Sequence, residues 1–449
     1  MMELFQALRL NALSRIAFVG AGGKTTAMFR AARQARSKTL TATTAHLATD
    51  EIRFADRHFV VSNPDQLAQT VDRLADGVNL FTGPEVKPGR LGGLDDSAIF
   101  RLKNIADQLN LPLLIEADGS RRLPAKVPGA HEPPIPEWVN AVVVTAGLSA
   151  VGQPLNDDTV FRAEIFSQIS GLALGCPIQL ETLVQVLTHP MGGLKNIPAD
   201  ADRIVLFNQW DTLHLHPEEM EGVRKILLDK FGSVLVASLR DEGNEVKFRL
   251  ENVAGIILAA GGSERFGEPK QLLSWKGRPF IQHIVEAALQ ARLSPIVVVL
   301  GAVIEPIQNV LKDYSINIIN NEKWSNGQAS SIGAGVRSIA GQCGAAVFLL
   351  SDMPQVSVDV LQTYLRYHRE YNYFILAPQV SGRPANPAMF DRRCFPALAE
   401  LSGQAGGRQL FDRFPVDWLE LDDPFLALDV DTPEDYQVLL EHEHDRNTE

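Results

Sequence analysis

The chain has 449 residues, 45% hydrophobic and 21% charged, with 42 Lys plus Arg against 54 Asp plus Glu. One hydrophobic core rarely grows beyond about 250 to 300 residues, so two domains are expected, and the composition argues against a long disordered region. The net charge of −12 offers no basic face to a nucleic acid, and no segment approaches the roughly 18 uninterrupted apolar residues that a membrane span needs.

The opening segment, MMELFQALRLNALSRIAFVGAGG, is moderately apolar, but Arg9 and Arg15 interrupt it and no small-residue cleavage site follows. It reads as a short helix leading into a strand, and the expected compartment is cytoplasmic. Cys176, Cys343 and Cys394 are odd in number, far apart and without CxxC spacing, so neither a disulfide framework nor a zinc site is expected.

Short apolar, β-branched runs alternate with helical patterns along the whole chain, as in parallel sheets covered by helices. Strands are expected at 16–19, 113–116, 141–145, 204–207, 255–259, 295–300 and 346–350. The charged stretch 240–255 places a domain boundary near 250, dividing the chain into 1–248 and 249–449.

The first strand runs into Gly20-Ala21-Gly22-Gly23-Lys24-Thr25-Thr26 and then a helical pattern. This is close to a P-loop, in which Lys24 reaches the β and γ phosphates of a nucleoside triphosphate and Thr25 helps to hold magnesium. The loop is a variant, because the first glycine of GxxxxGK[ST] falls on Phe18. An NTP contacted by Gly20, Gly22, Gly23, Lys24, Thr25 and Thr26 is therefore expected in a P-loop-like α/β domain. Glu116 and Asp118 follow the strand 113–116, where a second metal or water contact belongs. His131 and Glu132 in AHEPPIP are either functional or part of a proline-braced loop with an exposed imidazole. Asn208-Gln209-Trp210-Asp211 differs from a base-reading NKxD motif by Gln209, and an ordinary loop is the simpler reading. Together, GAGGKTT, LTATTAHLA, IEADGSRRLPAKVP and AHEPPIP resemble the YqeC family over residues 10–240. The resemblance implies NTP binding and an accessory role in maturing molybdenum hydroxylases with selenium-dependent chemistry.

In the second half, the strand 255–259 enters a glycine loop, Leu258-Ala259-Ala260-Gly261-Gly262-Ser263, followed by Arg265 and Lys270. Glycines let backbone N–H groups approach phosphates, and two cations at this spacing favour a phosphate site over a plain strand-to-helix turn. Strand 346–350 delivers Asp352 at its C-terminal end, where open parallel sheets bind ligands; the commoner role for such a residue is a helix N-cap. Near the end of the chain, Asp429 and Asp431 precede Thr432 and Pro433, which read as the N-cap and first residue of a helix. Magnesium takes one or two carboxylates plus phosphate oxygens and water, so Asp352 with Asp429 or Asp431 would suit it.

LAAGGSERFGEPKQLL, LSDMPQV and LDVDTPEDY resemble the MobA/MocA nucleotidyltransferases, most closely the molybdenum cofactor cytidylyltransferases, over residues 253–440. The resemblance implies a Rossmann-like nucleotidyltransferase fold, Asp352 as a Mg2+ ligand, Arg265 and Lys270 on phosphates, and Asp429 or Asp431 as a second metal contact. The residues LAAG at 258–261, where guanylyl enzymes read LAGG, favour CTP over GTP, although one methyl group discriminates by only about 1 to 3 kcal/mol. Residues 326–333 resemble the stretch beside the base and ribose and bring in Ser330 and Ser331, with a serine-capped helix start expected in either case. On the acceptor side the resemblance points to Arg383, Asn386, Pro387 and Arg408, but Ala385 replaces a glycine common in relatives and Gln404 stands where they often carry Asp.

The reaction these expectations describe moves CMP from CTP to molybdopterin cofactor, with pyrophosphate released, during maturation of an apo molybdenum hydroxylase client. A phosphate monoester has a second pKa of about 6, so the acceptor needs no general base near neutral pH. The alternatives are GTP with the same acceptor, a sugar or polyol phosphate as acceptor, or a nucleotide-binding cofactor chaperone without catalysis.

Overall fold

The computed structural model describes residues 2–212, 217–262, 266, 268–339, 341–404 and 406–446. They fall into two compact units, Met1–Leu250 and Glu251–Glu449. Both are mixed α/β assemblies with mostly parallel sheets. No helix among the described residues is long and apolar enough to cross a membrane.

In the first unit the strands are β1 (Arg15–Gly20), β2 (Thr39–Thr43), β3 (Arg57–Val60), β4 (Val78–Thr82), β5 (Leu113–Glu116), β6 (Ala141–Gly147), β7 (Asp202–Asn208), β8 (Ser233–Ala237) and β9 (Val246–Leu250). They form one sheet in the order β9-β8-β7-β6-β1-β5-β2-β4-β3. Every pairing is parallel except that of β8 with β9. β6, AVVVTAG, is buried at every position, which is why it reads as an unbroken apolar run instead of an alternating one. Helix α1 (Lys24–Gln34) follows β1 directly and buries Ala27, Met28, Ala31 and Ala32, a stripe at helical spacing. The central position of β1 between β5 and β6 brings Gly20, Glu116 and Thr145 to one edge of the sheet.

The second unit contains β10 (Val253–Ala259), α2 (Phe280–Gln290), β11 (Ile296–Leu300), β12 (Asn317–Asn320), α3 (Gln328–Ser338), β13 (Ala345–Leu350), α4 (Val358–Glu370), β14 (Ile375–Val380), β15 (Arg383–Pro384), β16 (Ala388–Asp391), β17 (Val416–Glu420) and α5 (Pro433–Arg446). Its sheet runs β12-β11-β10-β13-β16-β14-β15, with β17 also paired to β14. β10 lies parallel between β11 and β13, so the loop after Ala259 and the turn after Leu350 emerge side by side. Helix α4 is capped by Ser357, whose hydroxyl accepts from Val360 N, and buries Leu361, Tyr364 and His368 against the core.

The seven strands expected from apolar runs are all present. The shorter or more polar ones, including the edge strands β3 and β12, carry a weaker signal because solvent covers part of their surface.

Candidate functional site

In the second unit an open cleft of about 570 Å³ lies beside the C-terminal ends of β10 and β13. Leu258, Ala260 and Gly261 line it together with Lys270, Ser331 and Asp352. Ala259 instead packs in the core. The loop is held from behind by Gln271, a residue with only 3% exposure. Its Nε2 donates to the carbonyls of Ala259 at 3.3 Å and Gly261 at 3.1 Å. A Cβ built on Gly261 would meet nothing within 4 Å, so the space in front of that glycine is open to a ligand. Ser263 and Arg265 lie outside the described residues.

Charge concentrates at one end of this cleft. Lys270 Nζ donates to Asp431 Oδ1 at 2.5 Å and is 3.9 Å from Asp352 Oδ2. Burial pushes the Asp352 carboxyl up to about 6; Lys270 opposes the shift, and Asp429 and Asp431 add to it. Asp429 is raised in the same way, by burial and by Asp431, against the pull of Arg408 and Lys270. Two carboxylates that repel one another across a cation favour a further positive charge. Among the described residues no group of three or more His, Cys, Asp or Glu is close enough to form a metal cage. Asp352 with Asp429 or Asp431 could hold a divalent cation whose remaining ligands are phosphate oxygens and water.

Asp431 is positioned by the start of α5. Asp435 Oδ2 accepts from Asp431 N at 3.1 Å and Thr432 N at 2.8 Å, while Thr432 Oγ1 accepts from Asp435 N at 3.2 Å. This reciprocal cap is the one expected of Thr432 before Pro433. Asp352 caps no helix, since Ser357 fills that role for α4.

The serine-capped start of α3 is not found. The N-cap is Gly327, at φ +103°, where a Cβ would lie 2.5 Å from the Gly403 carbonyl oxygen, so close approach of two backbones selects glycine. Ser330 Oγ accepts from Asn321 Nδ2 at 2.8 Å and Ser331 Oγ does so at 3.0 Å, tying both hydroxyls to the loop before the helix. Only Ser331 of the pair lines the cleft.

Arg383, Asn386, Pro387 and Arg408 do not line the cleft. Arg383 is exposed on β15, Pro387 accepts from the Tyr364 hydroxyl at 2.6 Å, and Arg408 donates to the Pro384 carbonyl at 3.3 Å. The Ala385 side chain is buried, filling with a methyl group the place of a glycine. Gln271, Trp324 and Gln328 line the cleft without having been singled out by sequence, and Gln404, noted there only for standing where relatives often carry Asp, lines it as well. Only Trp324, an aromatic residue in the polar stretch NNEKWSNG, carries a sequence signal that would have found it.

In the first unit the glycine loop is bonded to the protein. Gly20 N donates to Asp118 at 3.1 Å, Ala21 N to the Thr145 carbonyl at 2.8 Å and Gly22 N to the Leu123 carbonyl at 3.0 Å. Asn208 Nδ2 donates to the Gly22 carbonyl at 2.8 Å, which gives the NQWD segment a loop-bracing role. Lys24 is 3% exposed, and its Nζ donates to the Gly20 carbonyl at 2.7 Å and lies 3.4 Å from Asp118. Thr25 Oγ1 donates to Glu116 Oε2 at 2.7 Å, and burial pushes Glu116 up to about 7 against the opposing effects of Lys24 and Thr25. Thr26 follows in α1.

Each of the two α/β units has a central strand that ends in a glycine loop beside carboxylates, at the edge where open parallel sheets bind ligands. The sequence profile of the MobA-like NTP transferase domain matches residues 255–418, and that of the YqeC protein matches residues 16–164. The uncharacterized protein YqeC of Escherichia coli K12 is 31% identical over 199 residues, covering 43% of this chain and 75% of that one. Nicotine blue oxidoreductase of Paenarthrobacter nicotinovorans is 32% identical over 198 residues, 42% of this chain and 96% of its own. A probable molybdenum cofactor guanylyltransferase of Bacillus cereus Q1 is 34% identical over 130 residues, 29% of this chain and 63% of its own. Among solved structures, the Rv0371c protein of Mycobacterium tuberculosis H37Rv aligns at 29% identity with a TM-score of 0.40, covering 42% of this chain and 97% of that one. The chain belongs to the YqeC family through its N-terminal unit and to the MobA-like NTP transferases through its C-terminal unit.

Proposed function

We propose that the C-terminal unit is a cytoplasmic molybdenum cofactor cytidylyltransferase, moving CMP from CTP to the phosphate of molybdopterin cofactor. The N-terminal unit binds an NTP and assists maturation of an apo molybdenum hydroxylase. The observation that carries this reading is Lys270 held between Asp352 and Asp431 at the mouth of the Leu258–Gly262 loop.

An acceptor phosphate oxygen forms the new bond to the α-phosphorus of CTP, the α–β phosphoanhydride bond breaks, and pyrophosphate leaves. The chain's main task is to hold and screen these charges. Asp352 with Asp429 or Asp431 would hold Mg2+, which offsets charge on the phosphates. Lys270 and Arg265 contact the phosphates, and Gln271 fixes the loop carbonyls so that the space before Gly261 stays open. Ser331, on the cleft wall, stands beside the nucleoside.

The Ala260 methyl at the cleft wall supports CTP, and the Bacillus cereus relative named as a probable guanylyltransferase supports a second reading with GTP. Incubation with each NTP, magnesium and molybdopterin cofactor, followed by mass analysis of the dinucleotide, separates the two. Absence of both dinucleotide and pyrophosphate would overturn the enzymatic reading in favour of a non-catalytic carrier.

A further inference from the structure

A second cleft, of about 770 Å³, opens in the N-terminal unit beside Thr25, Glu116 and Asp118. Its walls carry four cations: Lys87, Arg90, Arg121 and Arg122. Arg122 pairs with Asp50 at 3.1 Å. Among the described residues, Lys87, Arg90 and Arg121 have no carboxylate within ion-pairing distance. The cleft also carries acids, but two of these are already neutralised. Lys126, its side chain fully buried, joins Asp118 at 2.6 Å to Glu132 at 2.8 Å. Arg162 adds a two-pronged contact to Glu132 at 2.9 and 3.0 Å. The ring of Phe161 is a scaffold for this wall, with the guanidinium carbons of Arg121 and Arg162 at 4.6 and 4.3 Å from its centroid and Lys126 Nζ at 5.7 Å. With Lys24, Lys126 and Arg162 counted, seven cations stand against the five carboxylates of Asp50, Glu51, Glu116, Asp118 and Glu132, and this local surplus, on a chain of net charge −12, suits an anion.

The Gly20–Gly22 amides do not face that ligand, because each is bonded to a protein acceptor. We infer that the N-terminal unit binds the phosphate chain of its ligand, a di- or triphosphate, on the arginine wall formed by Arg90 and Arg121, and not on the Gly20–Gly22 amides. The inference rests on the reading that this unit takes a phosphate-bearing ligand. Arginine suits the task because its planar fork grips phosphate oxygens in pairs. Thr25 and Glu116 then form the floor of the cleft, and Lys24 orders that floor through its bond to Gly20 and its contacts with Asp118 and Glu116.

The test is hydrogen–deuterium exchange on the full chain with magnesium and, in separate arms, ATP, GTP, CTP or inorganic pyrophosphate. Reading exchange segment by segment separates this cleft from the C-terminal one. The expected result is slowed exchange in both 85–92 and 117–134. Arg90→Gln and Arg121→Asn, each verified as folded by circular dichroism, should raise the half-saturating concentration at least tenfold. Asparagine tolerates the positive φ of 53° at position 121. Protection by pyrophosphate as well as nucleotides supports recognition of the phosphate chain from either source. Protection confined to 20–26, with unchanged midpoints in both variants, overturns the arginine wall and leaves nucleotide binding intact. Absence of protection throughout 1–250 overturns both.

Discussion

Lys270 and Asp431 are 161 residues apart in sequence, and their Nζ and Oδ1 atoms are 2.5 Å apart in the folded chain. The contact joins the segment after the glycine loop to the last helix, with Asp352 as the third member. An ammonium between two carboxylates holds a charge arrangement that the proposed reaction would have to rearrange.

Replacing Asp352 with Asn keeps the shape and removes the charge. Pyrophosphate release with CTP and acceptor should fall by about 100-fold or more, the scale on which a lost transition-state electrostatic contact acts. Circular dichroism should match the parent protein. Full retained activity in the folded variant would remove Asp352 from the proposed chemistry.

Gln271→Leu leaves the carbonyls of Ala259 and Gly261 without their shared donor. An unmade buried hydrogen bond costs about 1 to 3 kcal/mol, and here the cost appears in the shape of the loop. The expected outcome is a KM for nucleotide raised roughly tenfold, with a smaller change in kcat. Steady-state kinetics over a range of CTP concentrations reads both constants.

Gly327→Ala puts a methyl group 2.5 Å from the Gly403 carbonyl oxygen, in a φ of +103° that L-residues avoid. Destabilisation on the order of 1 to 3 kcal/mol is expected. Thermal unfolding should show a lowered Tm, and an unchanged Tm would mean that the two backbones are not in close contact.

Glu116 provides a pH test in the first unit. Burial lifts its folded pKa to about 7, above the ordinary 4.5 of a glutamate, so the folded form binds the proton more tightly than the unfolded form. The sign follows: this group favours the folded state most at low pH, and that benefit is lost as pH rises from 4.5 through 7. Relative to the parent, Glu116→Gln should therefore be more stable at pH 8 than at pH 5, by on the order of 2 kcal/mol. Denaturant melts of both proteins at the two pH values read the difference, and equal differences at both would show that burial does not perturb this carboxyl.

The elements that were legible in the sequence share one property: they are short runs of residues whose environment is uniform. β1, β6, β10 and β13 are buried through nearly their whole length, so they stand out as apolar runs against glycine or aspartate. The Thr432–Asp435 cap was legible because its partners are three residues apart. At the start of α3 local capping preference points to serine, and the fit of Gly327 against Gly403, 76 positions away along the chain, overrides it.

Residue types in order determined that this chain would build helix-covered parallel sheets with glycine loops and aspartates at the ends of buried strands, since propensity and periodicity act within a few neighbours. Tertiary structure alone decided which charges meet. It set Lys270 against Asp431, turned Gln271 inward beneath the loop, and gave the Gly20–Gly22 amides to Asp118, Thr145 and Leu123. Ion pairs and close contacts between distant segments depend on strand order and register, and no local stretch of sequence carries that information.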